Sequence, residues 1–219
     1  MNLIILNKNF KLFKNNKSCL TYYLDNKDDF SKLKKIINEE KPKNIISLDF
    51  AIQTSENTSN DEIIVAKETI IINSKPVNWG IPRVDRWAET SHDLNKSICD
   101  ILESNNINHR IGSGVQLEYN DKISKRKNAK NWIYENIKAN FIDPNSNSIS
   151  SLIDGEIINF SIIRIINRKF SIEKINNNEN LIKKIIRLFK LQYFHKITSR
   201  KIKNELKEKN ILYKFSQIK

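Results

Sequence analysis

KPKNIISLDFAIQTSENTSNDEIIVA, residues 41–66, reads as strand, loop, strand. Asn44–Leu48 is a short apolar run of the kind a fully buried strand shows, entered through Lys41-Pro42. The polar stretch Gln53–Asn60 breaks it, and Asp61-Glu62 open a second apolar run, Ile63–Ala66. In α/β sheets, ligands sit where a central strand ends in a loop. The loop after Leu48 is therefore the first place to look for one.

Working outward, Met1–Leu6 predicts a buried first strand and Leu20–Leu24 (LTYYL) a second. Asp28-Asp29 begin a helix whose inner face is Phe30, Leu33, Ile36 and Ile37, ended by Lys41-Pro42. Beyond Ala66, Lys67–Ile72 continues extended, and Ser74–Arg86 reads as a loop carrying Pro76, Trp79, Gly80 and Pro82. Ser91 or Asp93 starts a helix with Leu94, Ile98, Ile101 and Leu102 inward. His109–Tyr119 is a strand, Ser124–Lys138 a helix on Trp132, Ile133 and Ile137, Asn140–Asp143 a short strand, and Asn145–Leu152 a helix entered from Pro144. Glu156–Ile166 (EIINFSIIRII) is the most β-like segment, too continuous in its apolar character to be half exposed. Leu181–Lys196 and Ser199–Lys209 close the chain as amphipathic helices. Strands alternating with helices predict a three-layer α/β domain around a central mixed, mostly parallel sheet. One domain over residues 1–219 is expected, with 170–219 as its basic helical part.

The composition, 39% hydrophobic and 29% charged, is that of a folded soluble chain. No apolar run approaches the ~20 residues of a membrane helix, and Met1–Leu6 is too short for a signal peptide. Cys19 and Cys99 lack metal spacing and read as free thiols of a cytoplasmic protein. The net charge of +13 is uneven: residues 170–219 hold 13 basic against 4 acidic residues, the rest 25 against 21. Such a tail is either a solvated helix face, the reading favoured here, or a nucleic-acid footprint.

Several chemistries are excluded cheaply. With glycines only at 80, 112, 114 and 155, neither a dinucleotide fingerprint nor a P-loop can be assembled. No His-x-x-x-His or Cys-x-x-Cys pair and no Gly-x-Ser-x-Gly elbow occurs, so no metal and no cofactor is expected. His92, His109 and His195 fall in separate elements and receive no role.

Three blocks, in order and spacing, resemble the nucleoside phosphorylase and nucleosidase superfamily, especially its hopanoid-associated phosphorylase-like branch. IISLDFAIQTSENTSNDEIIVA is similar to that family's strand, glycine loop and second strand, with Ser47, Phe50, Ala51, Asp61 or Glu62, and Val65-Ala66 in place. Gly112–Tyr119 (GSGVQLEY) resembles its glycine-led strand, with Glu118 at the position of an acid. Phe141–Ser146 (FIDPNS) followed by Phe160–Arg168 (FSIIRIINR) resembles its "Val-Asp-Met-Glu-Ser, helix, strand, Arg-Val-x-Ser-Asp", matched at Asp143, Ser146 and Arg164.

The resemblance implies a pocket lined by Asp49, Phe50, Ala51, Gly112, Asp143, Ser146 and Arg164, with Asn145, Glu118 and Arg168 in the catalytic positions. N-glycosidic cleavage needs a carboxylate on the sugar hydroxyls, an acid for the leaving base, and close backbone approach to any anion. The chain departs at all three. Asn145 stands for the sugar-binding Glu, and Arg168, which cannot give up a proton near neutrality, stands for the acid. Asp49 and Ile52-Gln53 stand for the glycines, and Asp49 would repel phosphate. Arg164, inside an apolar strand, must reach either a core acid or an anionic ligand. The expected function is binding or cleavage of a nucleoside-like N-glycoside, with a nucleoside or phosphate as the small-molecule partner, on a scaffold whose ancestral reaction is lost or replaced. The alternatives are a non-catalytic binding or assembly protein on the same fold, and nucleic-acid binding through residues 170–219. The resemblance also implies a homo-oligomer, with Trp79 and Trp87 as loop residues suited to its interface.

Overall fold

The computed structural model describes residues 1–7, 10, 19–24, 29–54, 58–59, 61–73, 83–117, 127–167 and 200–219. Within them the strands are β1 (Asn2–Asn7), β2 (Cys19–Leu24), β3 (Asn44–Gln53), β4 (Ile63–Asn73), β5 (Arg83–Glu89), β6 (His109–Leu117), β7 (Phe141–Asp143) and β8 (Asn159–Ile166). The helices are α1 (Asp29–Glu40), α2 (His92–Ser104), α3 (Lys127–Trp132, running into a π-helical turn at Ile133–Ile137), α4 (Ser146–Ser150), α5 (Arg200–Glu208) and α6 (Ile211–Ser216). This is an α/β fold around a mixed, mostly parallel sheet.

The sheet runs β2-β1-β3-β7-β6-β4-β5, with β8 inserted between β3 and β4. β8 pairs parallel with β3 over its whole length and antiparallel with the first four residues of β4. β7 pairs antiparallel with the far end of β3 (Ile52↔Ile142, Gln53↔Phe141) and parallel with β6. These pairings close a ring, β3-β8-β4-β6-β7 and back to β3. The closure pins residues that a polar loop would otherwise have left free.

Strand alternation sorts the central residues into two cores. Ile46, Leu48, Phe50, Ile163 and Ile165 point into one, shared with Ile98 and Leu102 of α2, Leu206 of α5 and Phe215 of α6. Ile45, Ala51, Ile162 and Ile166 point into the other, against Leu33 and Ile37 of α1 and Ile149 of α4. The layers are therefore helix, sheet, helix, as the alternation of elements required.

At the starting end of the sheet, Asn2, Asn44 and Asn159 stand in register on β1, β3 and β8. Asn159 Nδ2 donates to Asn44 Oδ1 (2.9 Å) and Asn44 Nδ2 to Asn2 Oδ1 (3.0 Å). Asn2 Nδ2 faces the Phe215 and Ser216 carbonyls at 3.2 Å and that of Ile218 at 2.9 Å. This amide ladder ties the last helix to the sheet.

Four expectations need correction. β3 does not end at Leu48 but runs on to Gln53, because closure against β7 and β8 gives its backbone partners there. Ser74–Arg86 is not all loop: Arg83–Arg86 belong to β5, so Trp87 is an edge-strand residue, 53% exposed. The helix expected over Asn145–Leu152 spans only Ser146–Ser150, and the strand expected from Glu156 begins at Asn159. α6 lies in a stretch that carried no prediction. The helix predicted at Leu181–Lys196 and the loop residues Pro76, Trp79, Gly80 and Pro82 lie outside the described residues.

Candidate functional site

The polar residues that interrupt the apolar strands share one face. Ser47 and Asp49 alternate with Leu48 and Phe50 on β3, and Asp49 stands in register with Arg164 on β8. Both side chains therefore point to the α4 side of the sheet, beside the β7–α4 junction that carries Asp143, Asn145 and Ser146.

Arg164 is the centre. It is 0% exposed, and each of its three guanidinium nitrogens donates to a protein acceptor. Nε donates to Asp143 Oδ2 (2.5 Å), Nη2 to Asn145 Oδ1 (2.9 Å), and Nη1 to the Ser47 carbonyl and hydroxyl (both 3.1 Å) and the Ile163 carbonyl (2.9 Å). A planar five-donor fork suits such a buried position better than a lysine would. Asp143, also 0% exposed, neutralises it and spends its other oxygen on α4. Asp143 Oδ1 accepts from Ser146 N (3.2 Å) and Ser146 Oγ (2.7 Å). One carboxylate thus pairs the arginine and caps the short helix. Asn145, at the N-cap position, makes no side-chain cap of its own.

Asn145 is turned inward instead. While its Oδ1 accepts from Arg164, its Nδ2 donates to Asp49 Oδ2 (3.1 Å). The second oxygen of Asp49 accepts from the Phe50 backbone N–H (2.7 Å). Burial pushes the Asp49 carboxyl above its usual range, against the opposing pull of Arg164 and these two hydrogen bonds. A raised carboxyl is what a general acid near neutrality requires. Both Asp49 oxygens, however, face donors inside the protein, and the side chain has almost no contact with solvent.

The structure thus brings Asp49, Asp143, Asn145, Ser146 and Arg164 into one buried network, and the side chains of the other described candidates, Phe50, Ala51 and Gly112, take no part in it. Phe50 contributes only its N–H: its ring is on the opposite face, stacked on Phe10 at 4.9 Å with Lys203 Nζ 5.5 Å from its centroid. Ala51 packs in the apolar core beside the network. Gly112 serves close packing, since a Cβ there would overlap the Asn140 side-chain oxygen that accepts from Ser113 N. Glu118 and Arg168 lie outside the described residues. The network also includes Ser47, in place in the family resemblance but not among the expected pocket residues; its period-2 relation to Asp49 puts it on the same face.

Clefts bounded by described residues lie elsewhere. One of about 500 Å³ sits between Asn38, Lys41, Pro42 and Glu156, at the starts of β3 and β8 and so at the other end of the sheet. A second, about 260 Å³, lies between Asp61, Asn108, Lys201 and Glu205. Among the described residues no group of acids, histidines or cysteines is arranged to hold a metal ion, and no helix is long and apolar enough to cross a membrane.

No family model and no curated protein matches the sequence. Solved structures do. Futalosine hydrolase of Helicobacter pylori superposes with a TM-score of 0.68 at 11% identity, covering 98% of this chain and 97% of that one. The 5'-methylthioadenosine/S-adenosylhomocysteine nucleosidase of H. pylori, solved with butyl-thio-DADMe-Immucillin-A, gives 0.64 at 13%, covering 95% and 97%. A putative nucleosidase of the same name from Francisella philomiragia gives 0.63 at 14%, covering 95% and 97%. At such identities the likeness is one of fold, and the fold is that of the nucleosidases.

Proposed function

We propose that this chain is a divergent member of the nucleoside phosphorylase and nucleosidase superfamily that binds a nucleoside-like N-glycoside without cleaving it. The observation that carries the reading is the position of Asn145. It stands where the resemblance puts the sugar-binding carboxylate, and both ends of its amide are engaged, by Asp49 and by Arg164. A neutral amide held in this way supplies no charge to an oxocarbenium-like sugar. Arg168 at the acid's position adds to the case, because it has no proton to give the leaving base. The order of the three sequence blocks supports kinship with the hopanoid-associated branch. A single domain in the cytoplasm, with Cys19 and Cys99 as free thiols, completes the reading.

The edge of the sheet favours a second reading, assembly. β5 ends the strand order, and Val84 and Trp87 on it are 42% and 53% exposed. An edge strand with large exposed apolar side chains is suited to pairing with another copy. Nucleic-acid contact through residues 170–219 rests on charge alone.

Thermal melting of the purified chain against nucleosides, free bases, ribose phosphates and phosphate tests the proposal. A nucleoside at ~100 times its dissociation constant stabilises the fold by about 2.7 kcal/mol, a shift easily seen. A shift with nucleosides and none with phosphate is expected. No shift with any nucleoside sinks the binding claim and leaves assembly.

A further inference from the structure

We infer that the Asp49 side chain is a tethered guest in a small carboxyl-binding pocket built by Phe50, Asn145 and Arg164, and that it keeps this pocket closed to external anions. The inference stands on the geometry of the network and does not depend on whether a nucleoside binds.

The two oxygens of Asp49 are held by two different donors, the Phe50 N–H at 2.7 Å and Asn145 Nδ2 at 3.1 Å. Neither donor can accept a hydrogen bond in return, so the pocket is complementary to a group with two acceptor oxygens. Arg164 fixes the second donor, since its Nη2 binds Asn145 Oδ1 at 2.9 Å and so sets which way the amide faces. Arg164 is itself fixed by Asp143, the Ser47 carbonyl and hydroxyl, and the Ile163 carbonyl. The pocket is therefore rigid and preformed around the carboxyl. Removing the carboxyl takes an acceptor from the Phe50 N–H and from Asn145 Nδ2 and leaves between them a space of its own shape. What fits that space is a one- or two-carbon carboxylate. Acetate is the severed side chain itself.

Asp49→Gly in the full chain tests this. Melting is followed in sodium acetate, in sodium chloride at equal ionic strength, and in acetamide, which has the shape of acetate but a single acceptor oxygen. The variant's midpoint is expected to rise with acetate by about 4–7 °C at ~20 times the dissociation constant, with wild type unmoved. Adding Asn145→Leu to the variant removes one of the two donors and should abolish the acetate response. Rescue by acetamide equal to that by acetate, or an acetate response that survives Asn145→Leu, would show a plain cavity and overturn the inference. So would no acetate-specific shift. If Asp49→Gly does not fold in chloride, refolding yield reads the same point: acetate must raise it above acetamide and chloride, and equal yields in all three refute the pocket.

Discussion

Arg164→Met is the most informative single change. Methionine keeps an unbranched apolar stem and removes the charge and the guanidinium. It deletes five hydrogen bonds and leaves Asp143, 0% exposed, with only Ser146 as partner. Breaking a buried ion pair from one side costs about 3–5 kcal/mol, most of it the burial of the abandoned charge. For a chain of this length that is a fall in melting temperature of roughly 6–20 °C. Asp143→Leu alone strands the arginine in the same way and also removes the cap on α4, worth about 0.5–2 kcal/mol. The double variant Arg164→Met/Asp143→Leu strands neither charge, so it should be more stable than the sum of the single losses implies by about 2 kcal/mol or more. Urea unfolding of the four proteins closes the cycle, with unchanged slopes as the check that only stability moved. An Arg164→Met loss below ~1 kcal/mol, or single losses that simply add, would mean that the two groups do not depend on each other and would refute this account of the core.

Three further outcomes follow from named contacts. Gly114→Ala places a Cβ into the Phe141 ring, the first residue of β7, and should cost about 1–3 kcal/mol by denaturation because the ring has a buried, packed position to leave. The raised pKa of Asp49 gives its burial an inverted pH dependence. Between the unfolded value near 3.9 and the raised folded value, the native state holds a proton the unfolded chain has lost, so this group's contribution to stability falls as pH rises through that window. Wild type should lose stability relative to Asp49→Asn from about pH 4 upward; a constant or widening advantage for wild type contradicts the assignment. Asn2→Ala cuts the ladder where it meets the chain end, and hydrogen exchange should then accelerate over Ile211–Ser216 ahead of the rest of the protein.

The strands of the central sheet were legible because full burial on both faces writes continuous apolar runs, as in Asn44–Leu48 and Phe160–Ile166. What local pattern could not show was where β3 stops. Asp49 and Gln53 look like the entry to a loop when read along the chain. Their strand conformation depends on β7 and β8, whose pairing is set by residues about a hundred positions away. The reading of Arg164 had a firmer physical basis: a cation in an apolar strand requires a partner. Naming that partner as Asp143, with Asn145 and Asp49 beyond it, needed the β7–α4 junction folded against β8. The same limit applies to α6, a six-residue helix whose anchor is the amide ladder at the opposite end of the sequence. Trp87 was assigned to a loop because the segment before it carries prolines and a glycine, while the strand that holds it takes its register from β4.

The central claim is a nucleosidase fold without N-glycosidic cleavage. Prolonged incubation of the purified chain with 5'-methylthioadenosine, S-adenosylhomocysteine, futalosine and inosine, with and without phosphate, tests it by chromatography of the free base. The account predicts no base above the rate without protein. Base released by wild type and lost in Asn145→Ala would contradict it.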